Sequence, residues 1–250
     1  MATIAVAGKG GVGKTAIAAL LINRLSQKGT VLAIDADPST NLNLALGLPL
    51  KETVGRLRED MTEDISKGRL PSGVSKQELL DMKIRQALVE SPKIDLLAMG
   101  RPEGPGCYCA ANHMLRLSID HLAKDYDYTV IDCEAGMEHI SRQTTRDIDF
   151  LLVISDPTFR GIITAGRMKE LMKELRTKVG KTYLIVNRVK DGLPEEIKKT
   201  IDDFGLNLVT TIAEDPNIGA LDEKGTPIIE LPADSPLQKG VAEIIGKLGL

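Results

Sequence analysis

Residues 8–15 of the chain read Gly8-Lys9-Gly10-Gly11-Val12-Gly13-Lys14-Thr15. They fit the pattern G-x-x-x-x-G-K-[ST], and they stand between an apolar run at 3–7 and a helical stretch at 17–25. Glycines in such a turn let consecutive backbone N–H groups curl around a polyphosphate, and the start of the helix adds the positive end of its dipole. Lys14 would place its charge on the outer phosphates, and Thr15 would offer its hydroxyl to Mg²⁺. The pattern therefore predicts a nucleotide-binding loop.

The rest of the chain alternates short apolar runs with amphipathic stretches. The runs lie at 3–7, 30–34, 94–99, 128–132, 150–155, 182–187 and 208–212. Residues 150–154 are apolar on both faces, which is typical of a strand covered by helices on both sides. We therefore expect a single-domain α/β fold over 1–250, a P-loop NTPase with a doubly wound, mostly parallel sheet. The charged segment at about 51–93 is predicted to be a helical insertion that covers the sheet, or alternatively a docking surface for a partner.

Composition excludes several classes of protein. The 250 residues carry 35 acids against 32 Lys and Arg, a formal net charge of -3, so no global basic field favours nucleic acid as a partner. The longest uncharged run, 38–50, is too short and too polar for a membrane span. The apolar start of the chain has no basic leader, so we do not expect a signal peptide. An odd number of cysteines, three, suits a reducing compartment, and we expect a cytoplasmic protein.

Polar residues close several of the predicted strands. Asp35 and Asp37 follow the run at 30–34, Asp132 ends the run at 128–132, and Asn187 ends the run at 182–187. Ligands of open α/β sheets bind at the carboxyl ends of the strands, so these side chains are candidates for a site. An acid before Pro38, or an Asn that closes a strand, is equally typical of a turn. Both interpretations remain open from the residues alone.

The early lysine of the loop, Lys9, distinguishes it from an ordinary phosphate-binding loop. With this second lysine the loop resembles the deviant Walker A family of ATPases, which includes the nitrogenase iron protein, the division-site and partition ATPases and metallocentre maturation ATPases. The resemblance implies that Lys9 reaches the nucleotide of the opposite subunit of a homodimer, and that Lys9 and Lys14 are both catalytic. The hydroxyl residue that usually follows the motif is replaced by Ala16, so one contact to the α-phosphate is missing.

The same resemblance implies roles for the polar strand ends. Asp37 is implied to orient the attacking water, Asp35 to lie in the Mg²⁺ shell, and Asp132 to be the Walker B acid. Gly136 is implied to move with the γ-phosphate, and Asn187 to read adenine. Because the transition state of phosphoryl transfer is loose, hydrolysis of ATP to ADP and phosphate needs positioned charge and an aligned water. We expect slow turnover if hydrolysis acts as a conformational timer.

Cys107 and Cys109 form a Cys-x-Cys pair that follows a Pro- and Gly-rich stretch and precedes a helical stretch at about 112–124. In extended backbone, residues two apart face the same way, so both thiols can reach one metal ion. Two thiolates are too few for Zn²⁺ or Ni²⁺, but a two-fold dimer would supply four. The plainer interpretation, a pair of small buried hydrophobic residues, remains open as well.

Taken together, the motifs are more specific than any one of them. The deviant loop, the two acids before Pro38, Asp132 with the switch segment to Gly136, and the Cys-x-Cys pair resemble the CooC and AcsF accessory ATPases of carbon monoxide dehydrogenase and acetyl-CoA synthase. The resemblance implies a homodimer that forms on metal or nucleotide binding and holds nickel, or zinc, between its cysteine pairs. Carbon monoxide dehydrogenase or acetyl-CoA synthase is the implied client, with neither nucleic acid nor membrane as a partner.

Two other functions compete with this one. An iron–sulfur ATPase would use one cysteine from each of two segments, such as Cys107 and Cys133, although Cys133 is predicted to be a buried strand-end residue. The second is a positioning or partition ATPase without a metal. A DNA partner would need a clustered basic face, and Arg142 with Arg146 is too small a patch, whereas membrane-positioning relatives end in an amphipathic helix. The apolar stripe at the C-terminus has too little charge beside it for anionic lipid, so we expect it to pack on the sheet. The stripe consists of Leu237, Val241, Ile244, Ile245 and Leu248.

Overall fold

The structure, a computed structural model, describes residues 1–69, 73–101, 109–135, 147–174 and 178–250. Its strands are β1 (Ala2–Gly8), β2 (Val31–Asp35), β3 (Ile94–Ala98), β4 (Tyr128–Asp132), β5 (Asp147–Ser155), β6 (Lys178–Val189) and β7 (Leu208–Ala213). These seven strands form one sheet in the order β3-β2-β4-β1-β5-β6-β7, and all neighbours run parallel. The connection that leaves β1 runs to β2 on one side, whereas the connections that leave β5 and β6 run toward the other edge. The carboxyl ends of β1 and β5 therefore flank the switch point at which such sheets bind ligands.

Helices connect the strands on both faces of the sheet. They are α1 (Lys14–Leu25), α2 (Leu42–Leu46), α3 (Val54–Ser66), α4 (Lys76–Ala87), α5 (Cys109–Ala123), α6 (Phe159–Glu174), α7 (Glu195–Asp203), α8 (Asn217–Lys224) and α9 (Pro236–Leu248), with a 3-10 turn at Ile228–Glu230. Helix α1 begins directly after the glycine-rich loop, so the loop presents its backbone at the amino end of that helix.

Two apolar cores sandwich the sheet, as the runs that are apolar on both faces predict. Leu32 and Ile34 of β2 face one core, which α4, α5 and α6 cover. Val31 and Ala33 of the same strand face the other core, which α1 and α9 cover. Alternating side chains of a strand point to opposite faces, so β2 is buried on both sides. The expected single-domain, doubly wound parallel sheet with helices on both faces is confirmed.

Two strands begin earlier than their apolar runs. Strand β5 starts at Asp147 instead of 150, and β6 starts at Lys178 instead of 182. At the amino edge of the sheet, exposed residues of both strands flank a single apolar residue, buried Ile148 in β5 and partly buried Val179 in β6. One apolar residue is too short a pattern to predict a strand. Asp149 nevertheless holds the sheet there, because its carboxylate accepts a hydrogen bond from the backbone N–H of Thr3 at 2.8 Å.

The segment at 51–93 contains α3 and α4. Helix α4 begins with a capping box in which Ser75 and Glu78 exchange side-chain and backbone hydrogen bonds. Leu80 and Ile84 of α4 are buried in the core that α5 also covers. These two helices therefore pack on one face of the sheet, and a docking role for their outer surface stays a prediction.

Helix α9 packs against the sheet through its apolar stripe. All five stripe residues are buried, and the helix lies against β7 and α1. The expectation that this stripe packs on the sheet is confirmed. Among the described residues, none of the helices has the length and apolar character that crossing a membrane requires.

Candidate active site

The glycine-rich loop is fixed by close packing on both sides. Gly8 ends β1 opposite Ile154 of β5, and a side chain at Gly8 would overlap the Ile154 carbonyl oxygen. Gly13 has a φ of 93°, and a Cβ atom there would lie 2.6 Å from the side-chain nitrogen of Asn187. Both positions therefore require glycine for steric reasons. Gly10 and Gly11 are exposed, whereas Val12 is buried in the core beside α1.

The two lysines of the loop both have partners within the chain. Lys14 is buried, and its ammonium group donates a hydrogen bond to the backbone carbonyl oxygen of Lys9 at 3.2 Å. The Lys9 side chain is about half exposed, and its Nζ lies 4.0 Å from a carboxylate oxygen of Asp156. The carboxyl edge of the sheet thus collects two positive charges at one loop, which suits binding of a polyphosphate.

Thr15 and Asp132 meet at the start of α1. The Thr15 hydroxyl donates a hydrogen bond of 2.6 Å to Oδ2 of Asp132, a residue that is 1% exposed. The other oxygen, Oδ1, is buried and has no hydrogen-bond partner among the described residues. Burial is the main reason that the pKa of Asp132 is raised to about 7, and the nearby Asp35 raises it further. A hydroxyl beside a buried carboxylate with an unused oxygen is a ligand set that suits a hard divalent cation.

Asp35 is committed to the backbone. It is fully buried, and its two oxygens accept hydrogen bonds from the N–H groups of Asp37 at 3.1 Å and Leu42 at 2.9 Å. Burial raises the pKa of Asp35 to about 6, although these hydrogen bonds act in the opposite direction. In this structure Asp35 shapes the turn that carries Asp37, and it is Asp132 that contacts Thr15.

Asp37 lies at the turn that follows β2. Its side chain is half buried, and one carboxylate oxygen accepts the backbone N–H of Ser39 at 2.8 Å. The backbone carbonyl oxygen of Asp37 accepts the N–H of Thr40, which closes the turn. The sheet register pairs Asp35 with Asp132, so the turn after β2 and the end of β4 lie side by side.

Asn187 locks the glycine-rich loop to the end of β6. Its side-chain nitrogen donates to the carbonyl oxygen of Val12 at 2.9 Å, and its side-chain oxygen accepts the N–H of Arg188 at 2.9 Å. Both ends of the amide are therefore used within the chain. The sequence suggested only an adenine contact or a turn residue, because the hydrogen bond to Val12 spans 175 positions.

A cavity of about 710 Å³ opens next to Asn187 and the start of α1. Thr15 and Ala16 line one wall, residues of α2 and the loop after it line another, and Asp222 of α8 lines a third. This space adjoins the phosphate loop and is large enough for a base and a ribose. Sequence reasoning missed Asp222, since no local pattern in α8 marks it.

Part of the predicted site lies outside the described residues. Gly136 and Cys107 are not among the described residues. Cys109 begins α5, but its side chain also lies outside the described part. Cys133 is buried, and burial raises the pKa of its thiol far above the usual value. Within the described ranges, no three His, Cys, Asp or Glu side chains form a cluster that could hold a metal ion.

Comparison with known proteins agrees with this geometry. A sequence model of the CobQ/CobB/MinD/ParA nucleotide binding domain (CbiA) matches residues 3–228. The chain is 46% identical over 246 residues to an uncharacterised ATP-binding protein of Methanocaldococcus jannaschii, which covers 98% of this chain and 97% of that protein. It is 32% identical over 241 residues to the carbon monoxide dehydrogenase accessory protein CooC of Rhodospirillum rubrum, with 91% and 89% covered.

The fold agrees with solved structures as well. The MinD cell division protein of Aquifex aeolicus superposes with a TM-score of 0.68 at 23% identity, and the match covers 100% of this chain and 97% of that one. At this level of sequence identity the structural similarity supports the fold only, and function must be argued from the site. Because the family model covers most of the sequence and the loop has the geometry described above, this chain belongs to the CobQ/CobB/MinD/ParA family of nucleotide-binding proteins and is a P-loop ATPase.

Proposed function

We propose that this ATPase is a metallocentre maturation factor that carries nickel for carbon monoxide dehydrogenase or acetyl-CoA synthase. The observation that carries the proposal is the similarity to CooC over nine-tenths of the chain, combined with the Cys-x-Cys pair at Cys107 and Cys109. Nickel is the cargo, and zinc is the alternative ion for the same thiolates. Two copies of the chain would contribute two cysteine pairs to one metal ion.

The nucleotide site supplies the switch. We assign to Lys14 the charge on the outer phosphates of ATP, and to Asp37 the alignment of the attacking water. Lys9 reaches the nucleotide of a second copy, so hydrolysis requires two chains. Hydrolysis then proceeds without a strongly perturbed general base, because a loose transition state needs positioned charge above all.

Mg²⁺ fits the pair formed by Thr15 and Asp132. The hydroxyl of Thr15 and the unused Oδ1 of Asp132 are hard oxygen ligands at the mouth of the loop. When bound, the ion neutralises charge on the phosphates. Asp35 acts indirectly in this assignment, since its oxygens hold the backbone of the turn that carries Asp37.

Nucleotide and nickel act on the same equilibrium in this proposal. If ATP draws two chains together, the distance between their cysteine pairs changes, and metal affinity changes with it. The dimer that forms on nucleotide or metal binding is therefore the state in which cargo is held. Release of phosphate would separate the chains and open the metal site toward the client enzyme.

The competing functions need surfaces that this chain uses elsewhere. A [4Fe–4S] cluster held in part by Cys133 would need that thiol at an interface, but Cys133 is buried below the end of β4. A membrane-binding C-terminal helix would need its apolar stripe free, but the stripe of α9 is buried against the sheet. These observations count against Cys133 as a cluster ligand and against α9 as a membrane-binding helix.

The test is metal analysis and native mass of the purified chain, with and without nickel and a non-hydrolysable ATP analogue. We expect about 0.5 nickel per chain, because two cysteine pairs share one ion. Cys109→Ala should lose both the nickel and the nickel-dependent dimer.

Cys133→Ala is the matched control, since it removes one thiol but leaves the pair intact, and it should keep its nickel. Nickel content that is unchanged in Cys109→Ala would contradict the metal assignment. A chain that stays monomeric with every combination of ion and nucleotide would contradict the proposal as a whole.

A further inference from the structure

The carboxylate of Asp156 lies beside Lys9 because of the register of the sheet. Strands β1 and β5 are parallel, with Gly8 opposite Ile154, so the residues that follow each strand leave the sheet side by side. Lys9 Nζ is 4.0 Å from Asp156 Oδ2, and the two side chains are 48% and 25% exposed. The lysine that distinguishes the loop thus has a counter-ion in its own chain.

The first turn of α6 holds Asp156 in place. Its Oδ1 accepts hydrogen bonds from the backbone N–H of Thr158 at 3.3 Å and from the Thr158 hydroxyl at 2.5 Å. A side chain at Gly161 would overlap the same oxygen, so glycine at that position keeps room for the carboxylate. Ser155 fixes the backbone by donating its hydroxyl to the Asp156 carbonyl oxygen at 2.9 Å. One carboxylate oxygen is therefore anchored to the helix, and the other faces Lys9.

We infer that Asp156 is a positioning residue that competes with the nucleotide of a second copy of this chain for Lys9, and so sets how readily two copies associate. The inference rests on the proposed function, in which Lys9 acts across a homodimer. To contact the nucleotide of the second copy, the Lys9 ammonium group must leave Asp156. Breaking this ion pair makes association of the two copies less favourable. Both side chains are partly exposed, so water screens their attraction and the effect is modest.

The substitution Asp156→Asn tests the effect of the negative charge separately from the effect of the local structure. The carboxamide oxygen of Asn can still accept the two hydrogen bonds from Thr158, while the negative charge that faces Lys9 is removed. The dissociation constant of the dimer is measured by sedimentation velocity with a non-hydrolysable ATP analogue and Mg²⁺. A partly exposed ion pair changes an equilibrium constant about 1.4- to fivefold. Because each dimer breaks two such pairs, we expect Asp156→Asn to lower this constant about two- to thirtyfold.

Two controls separate the charge effect from a structural one. Asp203→Asn makes the same charge change on α7, where Asp203 is exposed, and should leave the dissociation constant unchanged. The difference between the natural chain and Asp156→Asn should shrink as salt is raised from about 0.05 to 0.5 M, because screening weakens the ion pair. A structural effect of the substitution would be independent of salt.

The outcomes distinguish the inference from the proposal beneath it. A natural chain that does not associate with the nucleotide analogue overturns both. A natural chain that associates, together with an Asp156→Asn variant that associates equally or more weakly, overturns the role of Asp156 alone. The inference is supported if Asp156→Asn associates more tightly than the natural chain, if this difference shrinks at high salt, and if Asp203→Asn associates like the natural chain.

Discussion

Asp132 combines a functional position with an environment that opposes its charge. The carboxylate is buried next to Asp35, and its pKa is raised to about 7. A raised pKa means that the folded chain binds the proton more tightly than the unfolded chain, so stability falls as pH rises from about 4 to about 7. We therefore expect Asp132→Asn to be more stable than the natural chain at pH 8, measured in a chelating buffer without nucleotide. Its free energy of unfolding should be higher by up to about 4 kcal/mol. The gain should be nearly absent at pH 4.

The same substitution should lower ATP hydrolysis about 100-fold, as loss of a charged group at a phosphoryl-transfer site does. Urea unfolding at pH 4, 6 and 8 measures the first effect, and phosphate release measures the second. Asp37→Asn makes the same charge change at the acid assigned to the attacking water, and Asp37 is less buried than Asp132. This second variant should also lose ATP hydrolysis. Parallel stability curves for Asp132→Asn and the natural chain would contradict this account of Asp132.

Helix α9 depends on a buried carboxylate that comes from another part of the chain. Asp215, just after β7, accepts hydrogen bonds from the backbone N–H groups of Leu237 at 3.2 Å and Asn217 at 3.0 Å. Burial acts to raise the pKa of Asp215, but these hydrogen bonds outweigh it and the pKa is lowered. A lowered pKa stabilises the fold above the usual carboxyl range, and the contribution is lost as pH falls through the lowered value. Asp215→Ala should cost about 1–3 kcal/mol at pH 7.

Ser235→Ala tests whether the pH dependence belongs to the carboxylate. Ser235 caps the same helix by accepting the N–H of Gln238 at 3.3 Å, and it does not titrate in this range. Its loss should cost about 1 kcal/mol at every pH, whereas the cost of Asp215→Ala should decline below about pH 4. Urea unfolding between pH 3 and pH 7 measures both. A cost of Asp215→Ala that stays constant over that range would show that the ionised form has no special role.

The order of strands and helices could be predicted from the sequence because its signals are local. Apolar runs such as 150–154 are buried on both faces, and a glycine-rich turn between a strand and a helix has one common structure. The starts of β5 and β6 each have only one apolar residue between exposed ones, so both strands begin earlier than their apolar runs predict. The site was predictable only as a set of strand ends. The hydrogen bond from Asn187 to Val12 and the pairing of Lys9 with Asp156 join distant segments, and only the sheet register brings them together.

At the scale of the whole molecule, the proposed function requires that nickel binding and nucleotide binding are thermodynamically coupled. If nickel and nucleotide both favour the same dimer, thermodynamic linkage makes the effect reciprocal. If the nucleotide analogue changes the affinity of the chain for nickel by some factor, nickel must change the affinity of the chain for the analogue by the same factor. A coupling of about five- to 150-fold is the usual range for two linked sites. Isothermal titration of each ligand, with the other absent and then saturating, measures both factors at a fixed chain concentration.

Lys9→Ala gives the sharpest test of that linkage. It leaves Lys14 and the backbone of the loop to bind nucleotide within one chain, but it removes the group assigned to the nucleotide of the second copy. The variant should therefore still bind the analogue when nickel is absent, but more weakly than the natural chain because the contact across the dimer is lost, and it should bind nickel equally with and without the analogue. If the Lys9→Ala variant shows the same coupling as the natural chain, the link between the sites does not run through Lys9. Nickel affinity in the natural chain that is identical with and without nucleotide would contradict the linkage itself.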